Sequence, residues 1–465
     1  MTAKWHPLYL LLAAFVAFGL LLRFYGYENT WRLWKIEPMT PHFADLRVIT
    51  AGCESRAQGF DPLIENPADH WQRSLNYPRI WQCLYHFGVN QSHTTWIGLG
   101  VILSFLAGVC FLARNVPNLH AAIIVLAVLS PATLLGIERC NTDLLMFALM
   151  ALSLAALSRT HGIDVGSPPV GSPLLQVLPN GRIGGPPPGM NRGPDTSLRQ
   201  RLRLGTARSG PTLESASVTV FHVLAAAVLY LAFLLKLYPI FALPVFLSRP
   251  RASFLRTAAI LIALALAYGL FTWSDLRLIR DATQRCTDIS YGIDVFWMWM
   301  MNQRPILGFP AFFVSYAAVL AALLFACRGL SSDSPPGPLP ASRHLDAFRV
   351  GASIYVGTFL LGTNFEYRLI FLIFALPQLL AWRSSASPCL SRVSLATLIG
   401  IFIAMWHMVV AVLIWRCLPY GDYVSNVIDQ AAKWTVFGGL LCLIVQSMPD
   451  WVRQAMRGGF AKVQV

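Results

Sequence analysis

Four short polar stretches hold the residue types that could do chemistry in this chain. They are 42–47, with His42, Asp45 and Arg47; 138–143, with Glu138, Arg139, Asn141 and Asp143; 236–239, with Lys236 and Tyr238; and 364–368, with Asn364, Glu366 and Arg368. Asp45 stands near the start of a proline-free run, 45–58, that could form a helix lying along a membrane interface with Val48 and Ile49 at its boundary. A carboxylate fixed there can take a proton from an incoming hydroxyl. Its structural alternative is an N-cap or a salt bridge to Arg47. Arg368 adds a cation, with Glu366 as its expected partner. Two cations able to hold a lipid phosphate, beside one carboxylate base, are the minimum for transfer from a phospholipid-linked donor.

Plainer readings stand beside these. Asp143 opens a helix running to Leu157, and capping alone explains it. Lys236 ends an apolar run, where a snorkelling lysine is ordinary. Glu138 and Arg139 are harder to dismiss, because a charge near the membrane centre costs about 2.5–3.5 kcal/mol on insertion scales. No Ser/His/Asp arrangement and no metal-spaced His/Glu pattern competes with the transfer chemistry. The segment 26–93 continues through Glu54, Asp61-Pro62, Asn66-Pro67 and Asn76-Tyr77-Pro78, with prolines punctuating it into turns. It reads as a substrate cover, and His42, Arg47, Glu54, Asp61, Asn76 and Tyr77 are its candidate substrate contacts.

The elements that must position these residues are membrane helices. Hydrophobic residues make up 55% of the 465 and charged residues only 12%, about half the usual share for a soluble domain. Apolar runs of about 20 residues recur, long enough to cross a bilayer as helices, and a barrel would show short alternating segments instead. The expected spans are 7–25, 94–113, 118–136, 143–158, 217–235, 237–248, 254–273, 307–327, 349–363, 368–382, 393–415 and 434–448. Pro239 and Pro244 mark 237–248 as a broken or re-entrant segment, so the count is about ten to twelve. The first run follows Lys4 without a small-residue cleavage site and reads as a retained helix.

Threaded alternately, the connections carrying Arg114, Arg249, Arg251, Arg256, Arg328, Arg343, Arg383, Arg392 and Arg453 share one side, as does the arginine-rich 159–216 segment. The positive-inside tendency makes that side the cytoplasm. Both termini are then cytoplasmic, the four polar stretches face outward, and the expected location is the inner cell membrane. The expected organisation is 1–158 as N-terminal helices with the outer loop 26–93, 159–216 as a disordered Gly/Pro/Arg-rich linker, 217–448 as C-terminal helices and 449–465 as a tail. Residues 331–342 are a shorter version of the linker.

The formal net charge of +14 follows from loop arginines that mark topology and meet anionic lipid head groups, not nucleic acid. The nine cysteines include no CxxC pair, although Cys53 and Cys83 share one loop and could pair if that side is oxidising. No nucleotide-binding glycine loop is present.

Taken together, the chain resembles the GT-C membrane glycosyltransferases, most closely glycosyltransferase family 87. The likeness rests on Asp45 within Phe43-Ala44-Asp45-Leu46-Arg47, and on Gln58-Gly59-Phe60-Asp61-Pro62, similar to the family's Gly-x-x-x-Tyr-Asp-Pro turn. It rests also on Lys236-Leu237-Tyr238-Pro239, similar to the family's Lys-Pro/Phe-Tyr-Pro step, and on Asn141. Where the family often follows its acid with an aromatic pair, this chain has Val48-Ile49-Thr50. The resemblance implies a GT-C-like helical bundle that moves a hexose, mannose among the candidates, from a polyprenyl-phosphate donor to a lipid or glycan acceptor outside. It implies Asp45 as base, inversion at the sugar, and a phosphate held by Lys236 with Arg139 or Arg368. No cofactor and no metal are needed for that step. The alternative is a transporter or lipid flippase whose path the same charges line; charges gathered on one face, with no inverted halves, count against it.

Overall fold

Helix dominates the described part of the chain, which the computed structural model gives as residues 7–161, 213–328, 343–385 and 387–463. Most of the expected linker 159–216, and all of 331–342, lie outside the described residues. The helices are α1 (Pro7–Phe24), α2 (Tyr27–Leu33), α3 (Ala44–Ala57), α4 (Thr94–Ala113), α5 (Asn118–Val128), α6 (Pro131–Arg139), α7 (Asp143–His161) and α8 (Leu213–Lys236). They continue as α9 (Arg251–Phe271), α10 (Trp273–Ala282), α11 (Ile293–Gln303), α12 (Pro305–Arg328), α13 (Arg343–Leu360), α14 (Leu376–Arg383), α15 (Pro388–Cys417), α16 (Gly421–Gln446) and α17 (Asp450–Val463). The chain divides into one unit of Met1–Ala155 with Ala225–Val465, and another of Ala156–Leu224. Asp45, Asn141, Asp143, Lys236 and Arg368 all belong to the first.

Among the described residues, six helices are long and apolar enough to cross a membrane: Gln91–Ala113, Val218–Lys236, Arg251–Phe271, Pro305–Arg328, Pro388–Cys417 and Gly421–Gln446. A seventh is counted if α5 and α6, bent by 53°, form one span. The bend has a local cause. Ser130 accepts from the Thr133 N–H at 3.3 Å, and Pro131 occupies the first turn of α6, so a new helix is capped in the middle of the apolar run. On α9 only Leu261 is buried, and an apolar helix bare on nearly every face is stable against lipid and not against water. The protein is an all-α polytopic membrane protein.

Two of the expected spans instead supply the interior. Residues 368–382 form the 3-10 helix Glu366–Phe374 followed by α14, and every residue from 369 to 376 is fully buried. Helix α13 is buried along almost its whole length from Leu345 to Tyr355. Segment 237–248 is a 3-10 helix, Tyr238–Ser248, with Pro244 inside it; a proline removes the amide that an α-helix would need there.

Helix α3 does not lie on an interface. Ala44, Leu46, Val48, Ile49, Ala51 and Cys53 are all buried, and Gly52 packs against Pro62 and Leu75 of the following loop. Ser55 of α3 donates to Asn66 of that loop at 2.7 Å, and Thr50 of α3 meets Thr94, the first residue of α4, at 2.8 Å. The 26–93 segment therefore folds around α3 as its own small core. Cys53 and Cys83 are both free thiols, and burial pushes the Cys53 thiol up to about 11.

A short sheet crosses this architecture: β1 (Ser290–Tyr291) pairs antiparallel with β2 (Asn364–Phe365). Gly292, at φ +133, follows β1, and a Cβ there would stand 1.6 Å from the Gly362 carbonyl oxygen. Only glycine permits that approach, which sets the start of 364–368.

Candidate functional site

Three chain reversals bring the polar stretches together. Phe43 (φ 62) turns the chain into α3 and sets Asp45 in its first turn. Cys140 (φ 47) ends α6 and presents Asn141, while Leu237 (φ 46) ends α8 just after Lys236. Each ends or begins a helix, so the residues that follow face one another rather than continuing along an axis.

The contacts form a continuous chain. Asn141 Nδ2 donates to Asp45 Oδ2 at 2.6 Å. Asn141 Oδ1 accepts from Lys236 Nζ at 2.7 Å and from the Asp143 N–H at 3.0 Å. The Asp143 carboxylate, 1% exposed, pairs with Lys236, with Arg368 Nε at 3.2 Å and with the Tyr238 hydroxyl at 2.7 Å. Arg368 also donates to Asn364 and lies 4.4 Å over the Tyr238 ring. A buried carboxylate with two cations and a hydroxyl has its desolvation offset by charge and hydrogen bonds together.

Beside this network lies a cavity of about 410 Å³ lined by Asp45, Trp71, Arg73, Asn76, Tyr77, Arg139, Ile289 and Tyr367, among others. Arg73 donates to Asp69 from Nε and Nη2, each at 3.0 Å, and to the Ala44 carbonyl at 2.7 Å. This places its Nη1 3.9 Å from Asp45 Oδ1, and its guanidinium 4.5 Å from the Trp71 ring. Lys236 does not line the cavity but lies over the Tyr77 and Tyr367 rings that do, at 5.2 and 5.9 Å. An aromatic, half-polar hollow with one carboxylate and two guanidiniums at its wall is suited to a small polar ring and an anionic group.

Several expected residues stand elsewhere. Arg47 donates to the His42 carbonyl at 2.8 Å and leaves Asp45 to other partners, while the His42 ring packs 4.1 Å from that of Tyr27. Glu54 lines a separate surface hollow and accepts from Gln91 at 3.2 Å. Asp61 is held by Arg79 at 3.1 Å. Glu138 is fully buried, accepting the Met39 N–H at 2.8 Å and pairing with Arg139 at 2.9 Å. It braces Arg139 from behind the wall.

Three expectations are corrected. Glu366 is not the partner of Arg368; it pairs with Lys433 at 2.6 Å, on the opposite side of the 364–368 segment. Lys236 is not snorkelling, and Asp143 is not merely a cap, since each is buried against the other. Of the three cations expected at a phosphate, only Arg139 lines the cavity, and Arg73 joins it.

Sequence reading passed over Arg73, Asp69, Tyr367, Asp429, Lys433 and His407. Asp69 and Arg73 are four apart around Trp71, a pairing visible in the sequence. Lys433 and Asp429 precede the expected span at 434–448, and charges at the edge of an apolar run look like loop.

Comparison with protein-family models, curated proteins and solved structures finds no match.

Proposed function

We propose that this protein transfers a hexose from a polyprenyl-phosphate donor to a lipid or glycan acceptor at the outer face of the membrane. Asp45 is the general base. Its carboxylate takes the proton of the acceptor hydroxyl, and the hydroxyl oxygen attacks the anomeric carbon. The bond to the lipid phosphate oxygen breaks and the configuration inverts. Arg139 and Arg73 neutralise the departing phosphate from the cavity wall. Lys236 and Arg368, tied to Asp143, hold Asn141 in place and thereby aim Asp45.

The observation that carries this reading is the Asp45 carboxylate, fixed by Asn141 at 2.6 Å on the wall of an aromatic cavity with Arg73 and Arg139 beside it. A rigid base next to bound sugar supplies orientation before the reaction begins.

The test is transfer by purified protein in nanodiscs, with a panel of radiolabelled polyprenyl-phosphate hexoses and total membrane lipid as acceptor. Donor turnover that Asp45→Asn removes, with expression and insertion intact, supports the assignment. Full activity in Asp45→Asn overturns the mechanism. Absence of turnover with every donor, together with passage of a labelled lipid or solute across proteoliposomes, replaces it with transport.

A further inference from the structure

A second buried cluster lies behind the 364–368 segment. Lys433 of α16 pairs with Glu366 Oε1 at 2.6 Å, with Asp429, and with the Ser290 carbonyl at 2.8 Å. Three acceptors use all three ammonium donors. What remains is unmatched: Glu366 Oε2, Asp429 Oδ1 and both ring nitrogens of His407 are buried without a hydrogen-bond partner. Glu366 is 1% exposed and Asp429 3%. His407 and Asp429 belong to the two helices Pro388–Cys417 and Gly421–Gln446, both long and apolar enough to span a membrane. Unmatched ionisable groups at such depth are costly and point to function.

The geometry indicates what completes them. Ligand atoms of Glu366, His407 and Asp429 lie within 4.8 Å of one another. His407 Nδ1 is 3.9 Å from Glu366 Oε1 and 3.8 Å from Asp429 Oδ1. These separations are too long for hydrogen bonds, so a proton on His407 Nδ1 would still leave Asp429 Oδ1 without a partner, while Glu366 Oε1 is already taken by Lys433. They are near the edge of a coordination shell, about 3.4–3.6 Å for ligands roughly 2.1 Å from a metal ion.

We propose that Glu366, His407 and Asp429 bind a divalent transition-metal ion. One imidazole nitrogen with two carboxylate oxygens suits Zn²⁺ or a neighbouring first-row ion better than Mg²⁺ or Ca²⁺, which prefer oxygen alone. Two carboxylates and one ammonium leave a single negative charge. The ion makes that one positive, and a bound water losing its proton on the open fourth position restores neutrality. Lys433 keeps both carboxylates oriented from outside the coordination shell. Glu366 directly precedes Tyr367 and Arg368, so the ion fastens α15 and α16 to the segment that forms one wall of the Asp45 cavity. This assignment is independent of glycosyl transfer.

The experiment is Co²⁺ titration of the full-length chain in detergent after chelator treatment, followed by visible absorption. One equivalent should give the d–d bands of a low-coordinate site, Zn²⁺ should displace it, and Zn²⁺ should raise the melting temperature. His407→Ala and Asp429→Asn should weaken binding at least tenfold and abolish the Zn²⁺-dependent rise, whereas His86→Ala should not. If His407→Ala fails to fold, His407→Gln keeps the bulk and serves as the comparison. Uptake unchanged in the His407 variant, or no uptake by a chain whose melting temperature answers to pH alone, overturns the site.

Discussion

Asn141 joins Asp45 to Lys236 through the two ends of one side-chain amide. Its Nδ2 donates to Asp45 at 2.6 Å and its Oδ1 accepts from Lys236 at 2.7 Å. The amide cannot turn over, because Oδ1 also accepts the Asp143 N–H at 3.0 Å. Lys236 therefore fixes the position of Asp45 without touching it, and the carboxylate is not directly neutralised by a lysine.

Asn141→Leu removes both ends of the bridge at nearly constant volume. With Asp45 present but unaimed, turnover should fall on the order of 10²-fold, mainly in kcat, with donor KM little changed. Steady-state kinetics on membranes with matched protein levels checks this. An equal loss through KM alone would mean that Asn141 contacts substrate instead of positioning the base.

Asp143 is the anion that permits two cations to be buried. Asp143→Ala leaves Lys236 and Arg368, whose side chains are 11% and 16% exposed, facing each other without a counter-charge. Breaking a buried pair in this way costs about 3–5 kcal/mol, so the melting temperature in detergent should fall steeply. Adding Lys236→Met to Asp143→Ala should recover part of the loss, since one cation and one anion then leave together. If the double variant melts no higher than the single, the network is not electrostatic in origin.

How much of this was legible in the sequence follows from what sequence patterns encode. Asp45, Asn141, Asp143, Lys236 and Arg368 stood out because charged residues are rare among apolar runs, and rarity survives without a fold. Their pairing did not stand out: Arg368 has Glu366 two residues away but finds Asp143 in space, since both stand in the 3-10 helix Glu366–Phe374, where residues two apart point about 120° away from one another. Hydrophobicity likewise cannot tell lipid from protein interior. Residues 369–376 are as apolar as a span yet wholly buried. Arg73 was missed because it sits in a polar loop, where one more arginine carries no signal until Asp69 and Ala44 fix it beside Asp45.

Gly351 tests the packing that carries the buried wall. A Cβ at this position of α13 would stand 2.4 Å from the Phe371 carbonyl oxygen and 2.9 Å from Phe374 Cβ. Backbone atoms cannot yield as a side-chain tip can, so Gly351→Ala should cost about 1–3 kcal/mol or more. Gly269 on α9 has nothing within 4 Å, and Gly269→Ala should leave melting unchanged. Thermal unfolding of the two variants side by side separates steric cost from any general intolerance of the helices to alanine.

Arg79 ties the 26–93 segment to α10. Its guanidinium makes a two-point contact with Asp275, 2.9 Å at each end, and reaches Asp61 at 3.1 Å. Asp275 first and Asp61 second hold Arg79 protonated well above its ordinary range, against the desolvation that opposes it. The arginine side chain is 37% exposed, so solvent screens the pair and its worth to stability is about 0–1 kcal/mol. Its consequence is local. Helix α10 ends at Ala282, and Ala282 and Gln284 line the Asp45 cavity. Arg79→Met should therefore leave the melting temperature nearly unchanged, quicken amide exchange across 273–289, and raise donor KM several-fold with little change in kcat. Unaltered exchange in that stretch would show that α10 is held by its apolar contacts and that the ion triad is only a surface feature.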